Sequence, residues 1–181
     1  LDVWGGGFPP PPPFNGLHVI DVANPQSPAI LASLPWVGST PADVAIGGAY
    51  AYVSSNWTEG GGLSVVDLAD PCNPVIVGGL STSYAQGVTV ANGLVFFSAG
   101  GLYALDAADP MAIEIVGWSA GGGGGDDLVV DGGLIVGVSG WDESSGGFSI
   151  GDCSNPTSPE ALGEVAMPGG ARCAAVANGY A

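Results

Sequence analysis

"GLHVIDVANPQSP", residues 16–28, decides the fold because the chain repeats it. It returns as "GLSVVDLADPCNP" from Gly62, "GLYALDAADPMAI" from Gly101 and "GFSIGDCSNPTSP" from Gly147. Each copy is a glycine, a short apolar run, an Asp, two further residues, then Asn or Asp and usually Pro. The anchor positions Leu17, Leu63, Leu102 and Phe148 step by 46, 39 and 46 residues. A period of roughly 40–50 residues built from short strands marks a propeller or solenoid array.

A second pattern keeps the same period. "DVAIGGAYAYVSS" starts at Asp43, "GVTVANGLVFFSA" at Gly87, "DLVVDGGLIVGVS" at Asp127 and "CAAVANGYA" at Cys173. Each reads as two short strands around Gly-Gly or Asn-Gly, pairs that allow the positive φ of a tight hairpin. After each Asn/Asp-Pro comes another run: "AILASL" from Ala29, "VIVGGL" from Val75, "IEIVGW" from Ile113 and "EALGEV" from Glu160. Every repeat therefore holds four strands, A to D, which is the pattern of a propeller blade. With 33 Gly and 15 Pro in 181 residues, no segment reads as an amphipathic helix. A parallel β-helix ranks second, because its strands are not joined by tight hairpins.

The segments "GLHVIDVANPQSPAIL" and "GLSVVDLADPCNPVIV" resemble LVIVD repeats. The third and fourth copies are degenerate, with Ala104-Leu105 and Ile150-Gly151 in place of the Val-Ile pair. The resemblance implies a β-propeller of a secreted or cell-surface protein, and it carries no catalytic motif.

The expected architecture is all-β, a single propeller domain over residues 1–181 with four blades of four antiparallel strands. Blade 1 takes residues 1–36 plus 171–181, blade 2 residues 41–80, blade 3 residues 85–118 and blade 4 residues 125–166. Joined head to tail, the ends read "NGYALDVWGGG", comparable to "GGAYAYVSSNW". The C-terminal segment would then supply the inner strand of blade 1 and close the ring, removing exposed sheet edges. Two alternatives stand beside closure: part of a larger propeller, or an open strand completed by a neighbouring chain.

Composition narrows function. One Lys+Arg against 17 Asp+Glu gives a net charge of −16. Such a chain repels phosphate backbones and anionic membranes, so nucleic acid is excluded as a partner. No apolar run reaches the length of a membrane-spanning helix. Three cysteines, Cys72, Cys153 and Cys173, leave at least one unpaired within the chain. Buried free thiols are the simpler reading, and a bond from Cys72 to another subunit is the sharper one. One sequon, Asn56-Trp57-Thr58, falls in a B–C loop and makes Asn56 a glycosylation candidate.

Asp21, Asp67, Asp106 and Asp152 recur once per blade, each followed three residues later by Asn24, Asp70, Asp109 or Asn155. Turn formation explains them better than calcium, since Asx side chains accept nearby backbone N–H groups. Aligning the A strands places Asp43, Asp126, Asp127 and Arg172 at a channel mouth. A salt bridge between Arg172 and Asp126 is the expected structural role there, and a channel ligand is the alternative.

All five Trp follow B or D strands: Trp4, Trp57 and Trp141 after B, Trp36 and Trp118 after D. Strand polarity gathers them on one face, with Phe8 and Phe14 flanking the stiff run Pro9–Pro13. Exposed aromatics beside Gly-rich loops suit protein contacts or stacking on sugars.

Enzyme readings find little support. There is no Lys, and the single His18 sits in a C strand without a nucleophile elbow. No cofactor or metal is implied. The expected function is a non-catalytic extracellular structural or adhesive propeller, extending to a subunit of a repeating surface assembly or filament. Its partners are copies of itself, other surface proteins or glycans. A carbohydrate-binding module using the Trp face is the alternative, and a glycoside hydrolase with channel carboxylates comes third.

Overall fold

A computed structural model describes residues 14–56, 61–82, 84–121, 124–140 and 146–181. The described residues form fourteen strands and no helix. Blade 1 contributes β1 (Gly16–Asp21) and β2 (Ala29–Pro35). Blade 2 is β3 (Thr40–Gly47), β4 (Tyr50–Asn56), β5 (Gly62–Asp67) and β6 (Val75–Ser81). Blade 3 is β7 (Val88–Ala91), β8 (Leu94–Ser98), β9 (Leu102–Asp106) and β10 (Glu114–Ser119). Blade 4 is β11 (Asp127–Asp131), β12 (Leu134–Ser139), β13 (Gly147–Asp152) and β14 (Glu160–Ala166). Blades 2 to 4 are antiparallel meanders in chain order, and blade 1 is the two-stranded sheet β1–β2.

The turn chemistry is local. The inner hairpins of blades 3 and 4 use Asn92-Gly93 and Gly132-Gly133, and all four residues take positive φ. The C–D loops are built by the recurring carboxylates. Asp21, Asp67, Asp106 and Asp152 each accept the backbone N–H two residues ahead, at 2.8 to 3.0 Å. Asn24, Asp70 and Asp109 do the same one turn later. The ring of acids is thus a set of paired Asx turns, the role expected of it.

Packing between blades sets the rest. Trp36, with Leu17 and Leu34, meets Ala51, Val53 and Val66 between blades 1 and 2. Tyr52, Leu63 and Val65 meet Val88, Phe97 and Leu105 between blades 2 and 3. Phe96, Leu102 and Ala104 meet Leu128, Ile135 and Cys153 between blades 3 and 4. Strands buried on both faces explain the continuous apolar runs of β4, β8 and β12.

Every outer strand carries one extra residue where it pairs with its C strand: Leu31, Val77, Val116 and Leu162. The bulge brings the next position close to the following blade. A Cβ added at Gly78 would lie 1.7 Å from the Pro110 carbonyl oxygen, and one at Gly117 would lie 1.8 Å from that of Pro156. Each glycine is therefore a seat for the Asp-Pro or Asn-Pro turn of the next blade.

Sixteen strands were expected and fourteen are seen. The B strand of blade 1 was assigned to the first residues, which lie outside those described. Residues 171–177, assigned as its A strand, form no ladder and make one isolated bridge, Ala177 to Tyr180. All of β14 is exposed, so closure of the ring is not seen among the described residues.

Candidate interaction surface

Three regions hold the residues that the sequence singles out. Along the inner strands, Asp43 and Asp127 perform one task in two blades. The Asp43 carboxylate accepts the N–H of Val88 at 2.8 Å, and Asp127 accepts that of Ala174 at 2.8 Å. Blade 3 has Gly87 at this position, and its own N–H reaches the Gly125 carbonyl instead. A Cβ there would meet Leu128 and the backbone of blade 4 at about 3 Å. These bonds tie each inner strand to the next. They also place residues 171–176 beside β11 as β7 lies beside β3.

Burial is the largest influence on Asp43 and raises its pKa; the N–H bonds from Val88 and Val44 oppose it, and repulsion from Asp127 adds to it. Asp126 differs from expectation. Its carboxylate accepts from the Gln86 side-chain amide and from the N–H of Gly140, not from Arg172. Arg172 is exposed and makes no ion pair among the described residues. The amide and backbone donors nearer the strand ends satisfy Asp126 first.

The second region is the face where B and D strands end. Of its expected aromatics, Trp4, Phe8, Trp57 and Trp141 lie outside the described residues. Trp36 is a correction: it is 7% exposed, because Ala51, Val53 and Val66 of blade 2 cover it at the interface with blade 1. Trp118 is 52% exposed, leaning on Tyr103 with ring centroids 6.4 Å apart. Phe14 is exposed and stacks on His18 at 4.1 Å, while His18 bonds the Ser33 hydroxyl. His18 is thus held by sheet neighbours. A cavity of about 660 Å³ opens on the same face between blades 3 and 4, lined by Tyr84, Gln86, Ser98, Phe148, Ser149 and Glu164. The composition gave no sign of it, because glycines at strand ends rather than large side chains shape its walls.

The third region is peripheral. Asn56 is the last residue of β4, opposite Thr40, rather than on a loop tip. Cys72 and Cys173 are exposed free thiols, while Cys153 is buried at the interface of blades 3 and 4. Burial, more than the neighbouring Asp152, pushes the Cys153 thiol up and keeps it protonated.

With that geometry in view, the LVIVD repeat description matches residues 14–34, 38–82 and 143–166, the territory of blades 1, 2 and 4. The chain carries LVIVD repeats. Among solved structures, a protein from Lactobacillus plantarum superposes with a TM-score of 0.54 at 10% identity. The superposition covers 79% of this chain and 46% of that one, so the LVIVD chain spans under half of its length. At that identity the likeness concerns the fold alone. No curated protein matches the chain. No helix among the described residues is long and apolar enough to cross a membrane.

Proposed function

We propose that this LVIVD chain is a non-catalytic structural module of a secreted or cell-surface protein, working by contact with other proteins. Copies of itself are the foremost partner, and the module belongs to a repeating assembly. The observation that carries this reading is the apolar surface that blades 1 and 4 leave open among the described residues. Ile20, Val22 and Ile30 are exposed on blade 1, and Leu162, Val165 and Met167 on blade 4. Soluble monomers rarely leave contiguous apolar patches uncovered. A composite blade, with residues 171–181 as inner strand and residues 1–36 as the other three, fits the same reading. It completes the four-bladed domain when the two segments meet.

The test is sedimentation of the wild-type chain over a concentration series at low and high salt. The net charge of −16 opposes association, so assembly should strengthen as salt screens it. A chain that stays monomeric at every concentration and salt removes self-assembly from the reading.

A second reading rests on the cavity of about 660 Å³. That size is suited to a small ligand. Its hydroxyl groups, two aromatic rings and lack of any cation favour a neutral sugar over an anionic one. Binding on a glycan array by a monomer would favour this reading over assembly.

A further inference from the structure

We infer that blade 4 of one copy receives blade 1 of a second copy, head to tail, with the Asn24–Pro25 turn seated on Gly163. This deepens the self-assembly reading and rests on it.

The inference follows from the repeat. Each blade offers its successor a glycine seat and two apolar side chains on the outer strand. Gly78 seats Pro110 and Gly117 seats Pro156. Val77 and Leu80 pack into the core shared with blade 3, and Val116 packs into the core shared with blade 4. Pairing registers place Leu162, Gly163 and Val165 at the positions of Val77, Gly78 and Leu80. Yet a Cβ on Gly163 would meet nothing within 4 Å. Leu162 and Val165 are 57% and 62% exposed. Among the described residues, the docking face of blade 4 has no occupant.

Blade 1 carries the matching half. Each blade offers its predecessor the end of its C strand and the turn after it. In blade 2 these are Val66 and Leu68, in blade 3 Leu105 and Ala107, and in blade 4 Cys153, all packed against the preceding blade. The equivalents in blade 1 are Ile20 and Val22, which are 51% and 68% exposed. Its Asn24–Pro25 turn has the same closing bond as the others, Ser27 N–H to the Asn24 carbonyl at 3.0 Å.

Residues 171–181 are a third sign. Asn178 and Gly179 take φ of 54° and 78°, as Asn92 and Gly93 take 53° and 80°. Ala177 and Tyr180 exchange both backbone bonds around this turn, at 2.9 and 3.1 Å. With Ala174 held by Asp127, the segment lies on blade 4 and carries the turn of an inner hairpin without its ladder. Blade 1 has β1 and β2 but no inner strand paired to them among the described residues. Both faces are exposed among the described residues, and since one chain carries both halves of the contact, a second copy is the partner that fits. The contact joins unlike surfaces, so it propagates as a filament or closes as a ring of copies.

Two variants test it. Gly163→Ala puts a methyl group where the turn carbonyl would sit. The pair Ile20→Ser and Val22→Ser strips the opposing face without adding charge. All altered side chains are exposed or face open space, so each monomer should melt like the wild type. In sedimentation at high salt the wild type should assemble, and each variant alone should weaken association about tenfold or more. An equimolar mixture of the two should form a dimer and stop there, since each variant keeps one intact end. Assembly unaffected by either variant would overturn the end-to-end contact while leaving self-assembly standing. A monomeric wild type in which Gly163→Ala lowers the melting temperature would show that the two ends meet within one chain. A monomeric wild type indifferent to Gly163→Ala would remove both the contact and the assembly it rests on.

Discussion

Replacing Gly117 by Ala should destabilise this protein markedly, and Gly78→Ala, where the approach is as close, should do the same. An added Cβ at Gly117 lies 1.8 Å from the Pro156 carbonyl oxygen and 2.9 Å from its carbon. Ordinary contact begins near 3.4 Å, so strand and turn must part by about 1.6 Å. Both partners are backbone, and neither has a rotamer through which to escape. The turn is fixed by its own bonds, Met111 to Asp109 in one blade and Ser158 to Asn155 in the next. The strain passes instead into the core of Val116, Leu128, Ile135 and Cys153. Overpacking of this kind costs about 1–3 kcal/mol. At this chain length that lowers the melting temperature by roughly 2–12 °C.

The assay is urea unfolding followed by tryptophan fluorescence, with thermal melts alongside. Gly124→Ala is the reference, because a Cβ there meets nothing within 4 Å. The reference should be neutral or slightly stabilising, since Ala narrows the unfolded ensemble. Should Gly117→Ala unfold at the same urea concentration as Gly124→Ala, the turn does not sit on the strand and the seat argument fails.

Other outcomes follow from the inner strands and loops. Asp43 has its carboxyl pKa raised above 3.8, mainly by burial. Its folded form therefore binds a proton more tightly than the unfolded chain, and stability from this group grows as pH falls through the raised value. The melting-temperature difference between wild type and Asp43→Asn should rise in the wild type's favour from pH 7 towards pH 4; a difference that shrinks contradicts the burial. Asp127→Ala removes the acceptor for the Ala174 N–H, so hydrogen exchange there should quicken while Val88, held by Asp43, is unchanged. Asp70 and Asp152 are held below 3.8, the first mainly by Asn73 and the second mainly by the Ser154 N–H. Their contribution is present above the unfolded value and lost as pH falls below it, so Asp152→Ala should flatten the acid side of the stability profile. Trp118→Ser should leave the melt nearly unchanged, because the side chain is half exposed, and should weaken assembly only if the loop face takes part.

Much of this was legible in the sequence, for physical reasons. The period, the strand count per blade and the Asx turns depend on local chemistry. A short apolar run, Asn-Gly with positive φ and an Asp two residues before an N–H act within a few positions of each other. The third repeat falls outside the family match and still forms a full blade, since β7 to β10 keep their turns and apolar faces. What lay between blades was not legible. Trp36 looked like a face residue because strand polarity fixes which end it occupies, not whether the next blade covers it. Arg172 looked like the partner of Asp126 because aligning the A strands set the two side by side and their charges are opposite. A nearby amide and a backbone N–H satisfy the carboxylate with no ion pair.

The glycines carry the information that the apolar pattern lacks. In a repeat array each unit contacts only its neighbours, so stability is set by interfaces as much as by blades. An apolar side chain on an outer strand says that something covers it, but not what or how closely. A glycine at the same place says more, because the absence of a side chain is useful only where another backbone approaches. Gly78 and Gly117 meet that condition against Pro110 and Pro156. Blade 1 has Ala32 at the corresponding register position, opposite Val19. A methyl group there rules out a turn as close as those on Gly78 and Gly117, so the first interface relies on Trp36, Leu17 and Leu34 instead. Blade 4 returns to glycine at 163, with Leu162 and Val165 beside it in the positions that are interfacial elsewhere. If that surface faced only water, a glycine would weaken the strand by about 0.5–1 kcal/mol relative to alanine and bring nothing in exchange. Its presence in blade 4, where blade 1 has Ala32, is what an outer strand approached by another backbone would carry, as Gly78 and Gly117 do.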